Sequence, residues 1–540
     1  MAASSQKTLP TRALRDADLI DGSGAWAKEA RLTASDRAQA AGLPQRRDEY
    51  WKYTRPDAFV QADVTLQASL RSSLGLFDQR NTISVAFEDG KIQAAALPSS
   101  AQCTLESLAS ASVLDLHWAR DIYGRLEAAG QNPVKRSLAA LNTAMAREGI
   151  LLHVTGAVAA PIHIHATSSG QSDAIIHHVI KVAAGAEVTL IETGQYGARS
   201  NIVLEVDVAD GGRFHHIRVQ DGNERHMLTH IFARIGAEAR FKSFTLTAGG
   251  QLTRNECVLQ LLGDDASVSV AGACLGDGDF HHDDTVFITH DAVNCESRQV
   301  FKKVLRNGAV GVFQGKILVK AGAQKTDGYQ ISQSLLLDDD SQFLAKPELE
   351  IYADDVACSH GSTSGAIDAQ ALFYLRSRGV PEAKAVDLLT LSFVAEAIED
   401  HYKPRFAGDE LPRNKVGLVV ALADKLETLV GMFGIGNVPT GDKDPFALRR
   451  HALGVIRMLI EKDVALGLPE LLALSVPVFG DKITDASGAL IDYIYDRLAG
   501  SLREQGFSAQ EVDAVMALRP ARLGQVNQFL SAVRAFAALP

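Results

Sequence analysis

The sequence predicts a mainly β protein, with a solenoid core between an N-terminal α/β segment and a C-terminal all-α region. From residue 150 to about residue 360 the chain consists of short alternating runs separated by Gly, Asp and Asn. Such runs without intervening helices, several to each repeat, are typical of stacked coils that cover one another's edges. A two-sheet sandwich is the alternative, which so long a helix-free stretch disfavours. Successive turn glycines lie 26, 25 and 27 residues apart: Gly185, Gly211, Gly236 and Gly263.

The segments on either side of the core have helical patterns. Residues 1–149 are predicted to be mainly helical, with a short strand pair around the turn dipeptide Asp89-Gly90. Residues 361–403 and 404–540 are predicted to be helical segments. Apolar spacing and helix breakers predict helices at residues 136–149, 369–376, 381–403, 415–433, 445–461, 488–505 and 525–538.

The composition excludes several classes of protein. The 540 residues are 46% hydrophobic and 22% charged, which indicates several globular domains rather than disorder. A net charge of −11 argues against a broad nucleic-acid clamp. Neither a secretory signal nor an apolar run long enough for a membrane span is found. Five scattered cysteines fit a reducing compartment, so we expect a cytoplasmic protein without membrane contact.

Cys358 and His360 form the first candidate site. They lie two residues apart at the end of the last strand-like run, and in an extended segment this spacing places both side chains on one face. A thiolate and an imidazole together are plausible ligands for iron or another thiophilic metal. On chemistry alone, a structural cysteine beside a capping histidine is the commoner arrangement.

Three stretches of the chain resemble the SufB/SufD family of iron–sulfur cluster assembly proteins. They are ELEIYADDVACSHGSTSGAID followed by ALFYLRSRGV, the string CESRQVFKKVLRNGAVGVFQGKILVKAGAQKTDGYQISQSLLL at residues 295–337, and RRDEYWKYT at residues 46–54. The last is similar to the N-terminal segment of SufD rather than SufB. The resemblance covers about residues 10–399 and implies a right-handed parallel β-helix flanked by helical segments.

The resemblance also implies a function. It predicts a non-catalytic scaffold that works with a SufB-type scaffold and a SufC-type ATPase. A nascent iron–sulfur cluster is expected to be shared transiently with a partner, and the isolated chain is expected to hold no cluster tightly. It places Cys358 and His360 near the SufB interface and makes His360 the residue implicated in cluster formation. It assigns ATPase binding to residues 361–403, with apolar partner-binding residues Leu372, Leu375, Leu388 and Phe393.

Thirteen of the sixteen histidines fall between His153 and His360. A divalent metal site formed by His281, His282, Asp283 and His290 is one hypothesis. Adjacent residues on a strand point to opposite faces, however, so the histidine doublets cannot all serve one site. We expect most of these histidines on solvated faces and at turns.

Two glycine-rich stretches fail as phosphate-binding loops. In GNVPTGDK, at residues 436–443, Asp442 stands where the loop requires lysine. In GAVGVFQGKI, Gly315-Lys316 is followed by Ile317, so the hydroxyl that would bind magnesium is missing. We therefore expect nucleotide hydrolysis to come from a partner.

The last part of the chain resembles a different family, the glycyl-tRNA synthetase beta subunit. The strings ALADKLETLVGMFGIGNVPTGDKDPFALRRHALGVIRMLIEK (residues 421–462), HYKPRFAGDELP and LREQGFSAQEVDAVMALRP carry the resemblance, which covers about residues 395–540. Aminoacylation in that class resides mainly in the alpha subunit, and most of the beta subunit has no counterpart here. We expect a fragment that is inactive in glycine charging, binds tRNA poorly and leaves apolar helix faces uncovered. Arg449, Arg450 and Arg457 are candidate phosphate contacts, although a solvated helix face explains them equally.

The string VAEAIEDHYKP, at residues 394–404, fits both families. It indicates a gene fusion produced by recombination or by an assembly error rather than one evolved for function. An accessory subunit of the synthetase is therefore the alternative function. A β-helix polysaccharide enzyme is a third hypothesis that the fold alone permits. No acidic cluster on successive predicted coils supports it.

Overall fold

The structure is a computed structural model that describes residues 22–60, 77, 81–95, 102–169, 173–222, 226–377, 379–396, 411, 415–439 and 448–537. The chain divides into two compact units, Met1–Thr390 and Leu391–Pro540. Residues 397–403 of the predicted helix 381–403, and residues 445–447 of the predicted helix 445–461, lie outside the described part.

The first unit contains a parallel β-solenoid of about seven turns across residues 151–365, as predicted. Successive strands alternate between a nine-stranded and a ten-stranded sheet, so each turn contributes two strands rather than the several expected. The strands are β1 Ile83–Glu88, β2 Lys91–Ala95, β3 Cys103–Ser107, β4 Ile150–Val154, β5 Ile162–Thr167, β6 Asp173–Val182, β7 Glu187–Gly194, β8 Arg199–Val208, β9 Arg213–Gln220, β10 His226–Ile235, β11 Arg240–Thr247, β12 Leu252–Leu261, β13 Ser267–Asp277, β14 His281–His290, β15 Glu296–Arg306, β16 Val310–Val319, β17 Thr326–Leu336, β18 Gln342–Ile351 and β19 Val356–Gly365.

A left-handed corner residue recurs in six successive coils, from β6–β7 to β16–β17, where the chain passes from the nine-stranded to the ten-stranded sheet. Its backbone N–H donates to a carbonyl oxygen of the following coil at 2.5–3.0 Å, which continues the hydrogen-bond ladder through the turn. Only glycine adopts this backbone region without steric cost, yet later corners use other residues. The corner residues, with φ between 55° and 68°, are Gly185, Gly211, Glu238, Asp265, Asn294 and Lys325.

The regular glycine spacing in the sequence has two different causes. Gly185 and Gly211 are corner residues with positive φ. Gly236 and Gly263 lie two positions before a corner, where a side chain would collide with the preceding coil; a Cβ on Gly236 would lie 2.9 Å from the backbone nitrogen of Asp210. The repeat was therefore predicted correctly, but the four glycines occupy two different positions of the turn between coils.

The N-terminal end of the solenoid is capped by strands. β1 and β2 form the predicted antiparallel hairpin, and Asp89 and Gly90 both have positive φ, as a tight hairpin turn requires. β1 also pairs in parallel with β5, and β3 pairs antiparallel with β4, so both sheets are covered at this end. At the other end β18 and β19 are the last strands of their sheets.

Short helices pack on the outer face of the nine-stranded sheet. Their aromatic and small apolar residues, including Trp26 and Tyr123, share a core with the outward-facing Phe232 and Phe287. The buried carboxylate of Glu205 accepts the backbone N–H groups of Gly124 and Glu127 at 2.7 and 2.8 Å. The helices of the first unit are α1 Ala25–Ala41, α2 Asp57–Val60, α3 Leu108–Ser112, α4 Arg125–Ala129, α5 Ser137–Met145 and α6 Ala369–Ser377, and α7 Glu382–Glu396 spans the boundary between the units.

The second unit is a helical domain with its own apolar core. The expectation that its helix faces are largely uncovered is wrong, because residues such as Leu429, Leu459, Ile494, Val515 and Leu530 are buried against one another. Two short helices, α10 and α12, were not predicted. The helices are α8 Lys415–Gly434, α9 Leu448–Glu461, α10 Leu468–Ser475, α11 Ser487–Glu504, α12 Ala509–Ala517 and α13 Val526–Ala537.

The corner residues predict opposite stability effects for two substitutions. Gly211→Ala should lower the free energy of unfolding by about 1 kcal/mol through backbone strain, since an added methyl group makes no close contact. Glu238→Gly should raise it by up to about 1 kcal/mol, the greater freedom of glycine in the unfolded chain offsetting part of the gain. Tryptophan fluorescence in urea reports on this unit alone, because Trp26, Trp51 and Trp118 all lie in it. Equal midpoints for both variants would contradict the assignment of strain to the corners.

Candidate functional site

Cys358 and His360 lie on β19, the last strand of the ten-stranded sheet. They stand in parallel register with Gly328 and Gln330 of β17, both of which are buried inside the solenoid. The side chains of Cys358 and His360 therefore continue the inward face at the open end. Cys358 is half-buried and His360 is exposed.

A glycine makes room for the Cys358 thiol. A Cβ on Gly328 would lie 3.1 Å from Cys358 Sγ, tighter than an ordinary contact. Partial burial raises the pKa of the thiol above its usual value. Further along the strand, hydroxyl groups continue the polar inward face: Ser332 and Ser362 are joined at 2.7 Å, and the Ser334 hydroxyl donates to Ser364 at 2.8 Å.

The pair supplies two donor groups for a metal. Among the described residues no group of three or more His, Cys, Asp or Glu side chains converges as a metal site. A thiolate and an imidazole suit iron, but they leave half of a tetrahedral set to be filled from another chain or from a sulfide-containing cluster.

The hypothesis of a metal site at His281, His282, Asp283 and His290 fails because the four residues alternate between faces. His281 contacts Thr54 Oγ1 at 3.0 Å on the outside of the sheet, and Asp283 binds Arg254 there. Inside, His282 Nδ1 accepts from Lys303 Nζ at 2.8 Å, whereas His290 Nε2 contacts Ser297 Oγ at 2.8 Å.

The expectation that most histidines lie on solvated faces and at turns is also wrong. Burial lowers the pKa of His178 to about 4 and that of His282 to about 3, so both are neutral members of the core at pH 7. Inside the solenoid they join ionic clusters that no motif predicted; in one of these, Glu192 accepts from His216 and Arg218 at 2.8 and 2.7 Å. The histidines that are less than 9% exposed are His163, His177, His178, His216, His230, His282 and His290.

Helices α6 and α7 present apolar side chains to solvent. The predicted residues Leu372, Leu375 and Phe393 are half-buried, and Leu388 is 41% exposed. Sequence spacing missed the two most exposed apolar side chains of these helices, which are Phe373 at 70% and Leu391 at 61%.

The arginines of the second unit differ in their surroundings. Arg457 Nε lies 2.7 Å from Glu461 Oε1 one turn along the same helix, which accounts for its position without a ligand. Arg449 is half-buried and Arg450 is exposed. Residues 440–443, the second half of the GNVPTGDK loop, lie outside the described residues. None of the helices in the described part is long and apolar enough to cross a membrane.

Comparisons with known families match the two parts of the chain separately. Residues 164–393 match the family described as SUF system FeS cluster assembly, SufBD core domain. Residues 390–517 match the glycyl-tRNA synthetase beta subunit. The two matches meet at the boundary between the two compact units.

The curated relatives are glycine–tRNA ligase beta subunits. The protein from Polaromonas naphthalenivorans is 78% identical over 147 residues, which is 27% of this chain and 21% of that protein. The one from Delftia acidovorans is 76% identical over 147 residues, with the same coverage. The one from Paracidovorax citrulli is 48% identical over 303 residues, which is 55% of this chain and 40% of that protein. The chain thus spans well under half the length of these relatives. One part of the chain thus matches the SufBD core domain of the SUF iron–sulfur assembly system, and the part that follows matches the glycyl-tRNA synthetase beta subunit.

Proposed function

We propose that this chain is a SufD-type scaffold subunit, which acts in the cytoplasm with a SufB-type scaffold and a SufC-type ATPase to build iron–sulfur clusters. The observation that carries the proposal is the position of Cys358 and His360, which face inward at the open end of the solenoid. The SufBD match to residues 164–393 supports the same conclusion.

The open end explains why a partner is needed. The inward side of the last coil is only partly covered, and its apolar residues Leu349 and Val356 are half-buried. A second solenoid placed there would cover the strand edges and add ligands beside Cys358 and His360. The nascent cluster is cargo shared across this junction, and the chain itself needs no catalytic turnover.

His360→Ala should lower the yield of clusters several-fold in a reconstituted complex, because it removes one of the two donor groups. Folding and partner binding should be unchanged, since His360 is exposed. Cluster absorbance after anaerobic reconstitution with iron and sulfide measures the yield. His215→Ala, which changes a half-buried outward histidine on β9, is the matched control. A wild-type yield from the His360 variant would remove this residue from the mechanism.

The apolar surface of α6 and α7 is proposed to hold the ATPase. Within the first unit, Phe373 on α6 is 70% exposed and Leu388 on α7 is 41% exposed, and large exposed apolar side chains are typical of docking sites. Phe373→Ser together with Leu388→Ser should weaken co-purification with a SufC-type ATPase by about tenfold or more, as expected for the loss of two interface anchors. Leu275→Ser, which changes a 42%-exposed residue on the solenoid, is the control. Equal recovery of the ATPase with both proteins would exclude this surface.

The second candidate function belongs to the C-terminal unit. Its relatives are beta subunits of glycine–tRNA ligase, and its packed core supports a stably folded segment. It covers about a fifth of the Polaromonas naphthalenivorans relative, so we propose that it does not support aminoacylation.

Glycine charging tests this proposal directly. The full chain mixed with a cognate alpha subunit should form no more glycyl-tRNA than the alpha subunit alone, measured with radiolabelled glycine. An intact beta subunit in place of this chain shows that the assay works. Charging above the alpha-only level would show that the chain has two functions.

A further inference from the structure

Two glutamine side chains are buried inside the last coils without a bonding partner. Gln299 on β15 and Gln330 on β17 are both 0% exposed. Neither the oxygen nor the nitrogen of either amide has a hydrogen-bond partner among the described residues. Buried amides are almost always paired, so a molecule that is not part of these strands must supply the bonds.

The two amides lie in one column that leads to His360. Gln299 is in register with Gln330, and Gln330 is in register with His360. Neighbouring strands are about 4.8 Å apart, so the three side chains form a continuous polar path inward from the open end. Val270, the buried neighbour of Gln299 on the far side, ends this path.

Glycines on the facing walls make room for the polar side chains at the end of the two columns. On the opposite sheet, a Cβ on Gly315 would lie 2.8 Å from Gln330 Nε2. In the neighbouring column, Gly328 leaves room for the Cys358 thiol and separates it from Ser297. An ordinary side chain at either glycine would collide with the Gln330 amide or press on the Cys358 thiol, so both glycines are needed to keep these polar groups inside the solenoid.

A third unpaired group lies beside the second column. His290 is 0% exposed, and while its Nε2 contacts Ser297 Oγ at 2.8 Å, its Nδ1 has no hydrogen-bond partner within the described structure. The two columns end at Cys358 and His360 and contain no Asp, Glu, Lys or Arg. The missing partner is therefore a small neutral molecule that both donates and accepts hydrogen bonds.

We propose that the last coils enclose a blind, water-filled chamber that solvates Cys358 and His360 from inside the solenoid. Water fits the chamber because each molecule both donates to an amide oxygen and accepts from an amide nitrogen. The inference deepens the proposed function and rests on it for its purpose. A partner that covers the open end removes bulk solvent from these two side chains, and the chamber keeps them hydrated.

The native thiol provides a probe of the chamber. Cys103, Cys257, Cys274 and Cys295 are all buried, so iodoacetamide should react first at Cys358 in the folded full chain. Gln330→Met keeps a similar volume but removes both polar atoms of the side chain. It should slow alkylation of Cys358 several-fold, because water is no longer held beside the thiol. Peptide mass spectrometry measures the rate. Gln333→Met, on the same strand but on the outward face, should leave the rate unchanged.

A high-resolution crystal structure of the unmodified chain gives a second measurement that does not depend on the variant's folding. We expect an ordered water on each of the Gln299 and Gln330 amides. Any one of three results would overturn the proposal. These are amides bonded directly to each other, a chamber without water, and equal alkylation rates in wild type and a folded Gln330→Met variant. Neither measurement needs a partner or a cluster. If ordered water is found on both amides while the His360→Ala variant assembles clusters normally, the proposed function is refuted but the water-filled chamber is not.

Discussion

The in-register stacking of parallel coils is the constraint on which the rest of the first unit depends. Each strand pairs with the equivalent strand of the next coil residue for residue, as β10 does with β12 along ten positions. Every inward position therefore becomes a column whose members must be compatible with their neighbours above and below. The left-handed corners preserve this register between the sheets, which explains why Glu238 and Lys325 accept an unfavourable backbone conformation there.

Stacking also determines where charge is buried. Lys303 contacts His282 inside the solenoid and forms an ion pair with Asp284, and all three are less than 9% exposed. Buried ion pairs add little net stability, because desolvation offsets much of their attraction, but breaking one is costly. On the outer face, Arg254 of β12 lies 4.2 Å from the centre of the Trp51 ring and forms an ion pair with Asp283 of β14. The Tyr50 hydroxyl donates to Glu348 Oε2 on β18 at 2.6 Å, so the N-terminal segment is fixed to several coils at once. These polar contacts penalise a shifted register more than an apolar core would.

The two units follow different physical rules. In the solenoid, backbone hydrogen bonds between coils leave an unfinished edge at β18 and β19, which suits a protein completed by a partner. In the helical unit, α8, α9 and α11 bury their apolar faces among themselves. The similarity of this unit to one part of a tRNA ligase subunit therefore concerns a segment that has a core of its own.

The sequence by itself determined the strand-rich centre, the repeat, the hairpin at Asp89-Gly90 and the shared face of Cys358 and His360, because these follow from local periodicity and turn chemistry. Only the tertiary structure decided which face is inside. Both faces of the nine-stranded sheet are buried, so alternation along a strand did not show that His282 points inward and Asp283 outward. Gln299 and Gln330, on the ten-stranded sheet, were missed for a different reason, because their burial depends on strands about 30 residues away in sequence. Short helices such as α10 escaped prediction because tertiary packing rather than local propensity stabilises them.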